Sequence, residues 1–176
     1  MPVDGLARRL LLGAIAAAPL ALAAAVPACA LPGAAHKADE IVVLKSARRL
    51  FLLRGGAVLR SYPIALGPHA VGPKRAIGDG RTPEGSYVID GRNPRSAYHL
   101  ALHISYPNAA DVARAAAAHA DPGGAIFLHG LPAGFGALDP VRFTRDWTEG
   151  CISVSDRAIE EIWRAVADGT PIEIRP

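Results

Sequence analysis

From residue 40 onward the apolar residues come in short runs, each closed off by glycine, proline or charge. Runs of that length suit strands better than helices. Glu40-Ile41-Val42-Val43-Leu44 reads as a buried strand and Arg49–Arg54 as its neighbour. Gly55-Gly56 supplies the positive φ that a tight hairpin needs, so Ala57–Leu66 returns as a third strand. Glycine and proline recur throughout Gly67–Gly85, which predicts a long surface loop. Strand character resumes over Gly85–Asp90. Over Tyr98–Ser105 it alternates, with Tyr98, Leu100, Leu102 and Ile104 on one face and His99, Ala101, His103 and Ser105 on the other. An alanine-rich helix is expected over Ala109–Ala120, and a short strand, Ala125–Leu128, that delivers His129 at its end. Leu131–Arg145 reads as another long loop. Ser155 suits the N-cap of a helix from Asp156 to about Val166, with Ile159, Ile162, Trp163 and Val166 turned to the core. Pro171–Ile174 closes as a strand. The expectation is a single β-rich α+β domain of antiparallel sheets with two or three helices.

The first thirty residues have a different character. Arg8 and Arg9 precede an apolar stretch from Leu10 to Val26, and Ala28-Cys29-Ala30 fits a small-x-small cleavage site. The expected organisation is a signal peptide over 1–30, a linker over 31–39 and one domain over 40–176, in a protein exported to the periplasm or cell envelope. Two other readings stay open: an uncleaved anchor, although Gly13 and Pro19 interrupt a span already short for one, and a lipoprotein acylated at Cys29. A membrane partner is expected only through this segment. Its loss removes Asp4, Arg8 and Arg9, so the formal charge of +3 falls to +2. So small and interspersed a balance gives no basis for nucleic acid binding. It also leaves Cys151 as the one cysteine, so the mature chain forms no internal disulfide and its stability must come from an ordinary core.

A lone thiol in an exported protein is an oxidation risk unless it has a use. Cys151 follows Gly150, and His129-Gly130 lies upstream. Cysteine acyl chemistry needs a thiol, a base, a group orienting the base and donors for an oxyanion. Cys151 and His129 supply the first two. No Asp or Asn stands beside His129, so the Gly130 carbonyl is the candidate orienting group. The flexible Gly150 lets its own amide and that of Cys151 point at a developing negative charge. Spacing alone leaves a buried structural cysteine equally open.

The surrounding motifs add to this. Leu128-His129-Gly130, a loop, then Asp146-Trp147-Thr148-Glu149-Gly150-Cys151-Ile152-Ser153-Val154 resembles the signature of the L,D-transpeptidase catalytic-domain family. Thr82-Pro83-Glu84-Gly85-Ser86-Tyr87, preceded by Gly78-Asp79-Gly80, resembles that family's upstream Thr-Pro-x-Gly-x-Tyr element. The similarity runs from about Glu40 to Ile174. It implies Cys151 as nucleophile, His129 as general base and acid, and Gly130 as the carbonyl that orients His129. It further implies peptidoglycan stem peptides as substrate, acylation by carbapenems, and no metal or organic cofactor. Glu149 stands where many members carry histidine, a variant resembling a subgroup that includes hydrolases of wall-linked amides.

Other residues near the motifs are weighed against plainer roles. His103 is a candidate groove residue or an exposed strand histidine, and His99 shares its face. Arg142 and Arg145 are candidates for stem-peptide carboxylates, or solvated loop charge. Trp147 is a packing anchor or a substrate platform. Asp146 is a candidate for a substrate amine, or for a loop salt bridge with a neighbouring arginine, which is the expectation. A zinc site of His99, His103, His129 and Cys151 lacks the usual ligand spacing. A sortase-like site would need an arginine beside the thiol, for which Arg157 is the near candidate. A catalytic Cys151 is expected to titrate below an ordinary thiol.

Overall fold

The computed structural model describes residues 37–135 and 145–176. The expected signal peptide, most of the linker and Arg142 lie outside the described residues. Eight strands form one sheet in the order β3-β2-β1-β8-β4-β5-β6-β7. They are β1 (Glu40–Leu44), β2 (Arg49–Arg54), β3 (Ala57–Pro63), β4 (Gly85–Ser96), β5 (His99–Ile104), β6 (Phe127–His129), β7 (Ile152–Ser153) and β8 (Pro171–Arg175). Two helices are described, α1 (Ala109–Ala117) and α2 (Asp156–Ala165). The β1–β8 and β6–β7 pairings are parallel and the others antiparallel. The result is the β-rich α+β domain expected.

β4 runs past the expected Asp90 and joins the two halves of the sheet. Its first residues pair with β8, and the rest pair with β5 across a register shift around Asp90. The extension is polar, with Arg92-Asn93-Pro94-Arg95, and so carries no apolar alternation to announce it. β3 stops earlier than expected, at Pro63, which has no N–H for the ladder. The chain then detaches, and Ala65 bridges Ser153 through paired backbone hydrogen bonds of 2.9 Å each. Ile64, Ala65 and Leu66 are thereby buried against the strand that follows the cysteine.

α2 is held by its cap and its apolar stripe. Ser155 Oγ accepts from the Ala158 amide at 3.1 Å, and Ala158, Ile159 and Ile162 are buried. The helix covers the core face of β5 and β6, where Leu102 and Leu128 are fully enclosed. Gly67–Gly85 is coil, as expected, yet it is fastened to the body. Lys45, 1% exposed at the end of β1, donates from Nζ to Gly72 O (2.7 Å), Thr82 O (2.9 Å) and Glu84 Oε1 (2.8 Å). A buried ammonium with three acceptors and a carboxylate among them is satisfied, and it ties the loop to β1 at Gly72, Thr82 and Glu84.

Candidate active site

Strand register decides which side chains meet. β5 pairs Ala101 with His129 and His103 with Phe127, and β6 pairs His129 with Ser153. Paired residues project to the same face, so Ala101, His103, Phe127, His129 and Ser153 share one side of the sheet. Leu102, Leu128 and Ile152 share the other, in the core. Extending the parallel register by one residue sets Cys151 opposite Phe127, on the side of His129. Strand spacings put the Cα atoms of Cys151 and His129 about 8 Å apart on that diagonal, within the combined reach of a thiol and an imidazole. Both side chains line a cavity of about 650 Å³.

His129 is 4% exposed. Its Nδ1 lies 2.7 Å from the Gly130 carbonyl. A carbonyl only accepts, so Nδ1 carries the proton and a neutral ring presents its lone pair at Nε2. Burial lowers the pKa of His129, against the opposing pull of the Gly130 hydrogen bond. Tyr98 and Trp147 wall the imidazole, with ring centroids 4.6 and 5.9 Å away. Gly130 has no room for a side chain: a Cβ there would lie 2.7 Å from Asp156 Oδ1. The first turn of α2 thus approaches the backbone that orients the histidine, and Asp156 Oδ1 accepts the Leu131 amide at 2.8 Å.

Cys151 is half-buried, its Sγ 3.7 Å from the Ala125 carbonyl. Burial raises its pKa, while the Phe127 amide and the charge of Lys74 pull it down. The expectation of a depressed thiol is therefore corrected. The enclosing walls strip water from a would-be thiolate faster than the donors replace it. Both shifts favour the neutral forms, thiol and imidazole, over the ion pair.

The turn before Cys151 is stapled by Thr148, itself buried. Its Oγ1 donates to the Cys151 carbonyl at 2.7 Å and accepts from the Gly150 amide at 3.2 Å. The Gly150 amide, expected as an oxyanion donor, is thus already committed to Thr148, which leaves the Cys151 amide of the expected pair. Gly150 is needed for space and conformation instead. Its φ is +123°, and a Cβ would meet the Arg81 carbonyl at 2.5 Å. Leu66 O accepts the Trp147 and Thr148 amides at 2.8 and 3.0 Å, so the detached end of β3 is the floor of this turn.

Trp147 lines the cavity, as one of its two sequence readings has it. Asp146 forms the expected salt bridge, but with the distant Arg48, at 2.6 Å, and it also accepts the Leu66 amide at 2.9 Å. His103 does not line the cavity. Its Nδ1 is 2.5 Å from Asp90 Oδ1 and its ring packs edge-on to Phe127. His99 pairs with Glu160 at 3.0 Å, so neither strand histidine joins Cys151 and His129. Arg145 is exposed and outside the cavity wall, and Arg157 pairs with Glu161. Three cavity residues, Tyr98, Thr148 and Lys74, and the buried Ser153 escape sequence reasoning in these roles. Alternation puts Tyr98 on one face with Leu100, Leu102 and Ile104, but His99 adopts φ +64° and breaks it. Thr148 lies in the motif, though its two hydrogen bonds follow only from the turn. Ser153, fully buried, donates to the Gly130 carbonyl at 3.3 Å, and strand parity after Cys151 is the signal that finds it. Lys74 has no sequence signal at all.

Residues 38–174 match the protein-family model of the L,D-transpeptidase catalytic domain (YkuD). YafK of Escherichia coli strain K12, itself only provisionally an L,D-transpeptidase, is 33% identical over 112 residues, which is 62% of this chain and 37% of YafK. The structure of Bd1075 from Bdellovibrio bacteriovorus, 28% identical, superposes with a TM-score of 0.54 and covers 81% of this chain and 49% of that one. The helical cell shape determining protein Pgp2 of Campylobacter jejuni, 24% identical, gives a TM-score of 0.57 over 76% of this chain and 46% of its own, a likeness of fold. The chain spans less than half the length of each of these three proteins.

Proposed function

Because the chain belongs to the L,D-transpeptidase catalytic-domain family, we propose that it transfers acyl groups of peptidoglycan stem peptides through a thioester on Cys151. The substrate bond is the amide between the L-centre of a diamino acid and a terminal D-residue. His129 Nε2 takes the Cys151 proton as the sulfur attacks the carbonyl carbon. The tetrahedral oxyanion faces the Cys151 amide, and such a donor is typically worth about 3 kcal/mol. The imidazolium then gives its proton to the departing amine, the C–N bond breaks, and the thioester remains. An amine of a second stem peptide attacks next and loses its proton to His129, which frees Cys151 as the thiol. Water in place of that amine makes the same site a hydrolase, as in the subgroup that the Glu149 variant resembles.

The observation that carries this reading is the His129 tautomer. The Gly130 carbonyl takes Nδ1–H at 2.7 Å, so the basic nitrogen is turned away from the backbone. Gly130 is the positioning group, and its carbonyl stabilises the imidazolium less than a carboxylate does. Export to the envelope by way of residues 1–30 belongs to the same proposal, since the substrate lies there.

The test is incubation of the purified protein with a disaccharide-tetrapeptide donor, followed by mass analysis of the products. Crosslinked dimers mark transpeptidation, and loss of one D-residue marks hydrolysis. Absence of both, in a protein whose fold is verified, would refute the acyl-transfer reading and leave a peptidoglycan-binding module.

A further inference from the structure

The cavity beside Cys151 carries one ammonium among its described lining residues, that of Lys74. The group is 4% exposed. A lysine that deep is costly unless it is paired. Its Nζ donates to Asp79 Oδ1 at 2.9 Å and to the Ala76 carbonyl at 3.1 Å. Asp79 is itself spoken for, accepting the Arg75, Ala76 and Arg81 amides at 2.7, 3.1 and 3.0 Å. Those bonds fold the loop around the carboxylate, and the lysine that pairs with it forms part of the cavity wall. An ammonium has three N–H donors, and the described acceptors are two. Its charge is also felt at the cysteine sulfur, where it favours the anion. Glu149, which is exposed, is the one carboxylate among the described lining residues.

We infer that Lys74 is the anion anchor of the acyl-donor subsite, receiving the carboxylate of the D-residue that leaves when Cys151 is acylated. This rests on the proposed function for the identity of the donor. In a terminal D-residue the carboxylate is separated from the scissile nitrogen by a single carbon, so its anchor must stand beside the nucleophile, inside the cavity. The exposed Arg145 lies outside that wall. Lys74 is a specificity residue here: it makes the enzyme prefer chains that end directly after the cleaved bond.

Two measurements separate this from a purely structural clasp. The first is alkylation of Cys151 by iodoacetate and by iodoacetamide, which differ in charge and attack the same thiolate. Their rate ratio cancels thiol pKa, and it is read on protein verified as folded, because an unfolded fraction reacts as a free thiol. The wild-type ratio should exceed that of a free thiol by about tenfold, the scale of one charge-assisted hydrogen bond. Lys74→Met should return it to the free-thiol value, and Lys74→Arg should retain most of it. A wild-type ratio equal to that of free cysteine overturns the inference even if Lys74→Met does not fold. So does a raised ratio that survives in Lys74→Met. The second compares tetrapeptide donors ending in D-alanine and in D-alaninamide. Wild type should favour the acid by about tenfold in kcat/KM, mostly through KM, and Lys74→Met should lose the preference. A clasp without a ligand would slow both donors equally. Turnover of both at equal rates by wild type sinks the anchor and leaves the acyl-transfer reading standing, whereas turnover of neither sinks the latter while the alkylation ratio still reports on the anchor.

Discussion

Replacing Thr148 with valine removes one hydroxyl, keeps the side-chain volume, and tests whether that hydroxyl holds the turn before Cys151. Two hydrogen bonds go with it, Oγ1 to the Cys151 carbonyl (2.7 Å) and the Gly150 amide to Oγ1 (3.2 Å). The Gly150 amide is buried and tightly packed against Gly67 and Arg81, so water does not easily substitute. An orphaned buried amide costs about 1–3 kcal/mol, and the lost bond to the half-buried carbonyl about 1 kcal/mol more. The sum is about 3 kcal/mol. For a domain of this size each kcal/mol lowers Tm by roughly 3 °C, so Thr148→Val should melt about 10 °C below wild type. Thr148→Ser keeps both bonds and should stay within about 3 °C of wild type. Acylation by a carbapenem, followed by intact mass at a temperature where all three are folded, should slow in the valine variant and hold in the serine variant. A valine variant that matches wild type in both melting and acylation would refute the staple.

The remaining predictions concern the resting protonation states and the space around Gly150. Because burial raises the Cys151 pKa, the iodoacetamide rate should keep climbing with pH past the ordinary thiol value of about 8.5. A plateau near pH 7 would contradict the neutral pair. Because burial lowers the His129 pKa, the unfolded chain binds more protons than the folded one between the folded pKa and about 6.5. Stability from this group is therefore present above about pH 6.5 and lost as pH falls below it. The Tm difference between wild type and His129→Gln should shift against wild type on acidification, and a difference constant from pH 8 to 5 would count against the buried neutral imidazole. Gly150→Ala forces φ +123° on an L-residue and drives a Cβ to 2.5 Å from the Arg81 carbonyl. It should cost at least about 2 kcal/mol and abolish carbapenem acylation, and an active, stable alanine variant would exclude this turn geometry.

The parts of the fold that the sequence predicts correctly rest on local periodicity. Ile159 and Ile162 recur at helical spacing behind a serine cap, and α2 starts at Asp156 as expected. Gly55-Gly56 announces the β2–β3 hairpin because few other residues take the positive φ it uses. Cys151 and His129 were found as chemistry and motif, and the structure brings them to one cavity wall. What sequence reasoning missed depends on partners distant in the chain. Arg48 reaches Asp146 across 98 positions, and Lys45 ties down the Gly67–Gly85 loop through backbone carbonyls that carry no side-chain signature. Tyr98 misled because His99 is a non-glycine residue at positive φ, which alternation cannot foresee. The Gly150 amide follows a related pattern: glycine before the cysteine suggests a free donor, while in the structure the amide bonds to the threonine two residues earlier.

The proposed acyl transfer requires covalent capture of the stem peptide by one sulfur. Rapid acid quench of wild type with a tetrapeptide donor, then intact-protein mass and peptide mapping, reads this directly. The predicted result is a mass increase equal to the donor less the free D-amino acid it releases, mapped to Cys151 and missing from Cys151→Ala. Product formation by Cys151→Ala at the wild-type rate, or the adduct on any other residue, would contradict it.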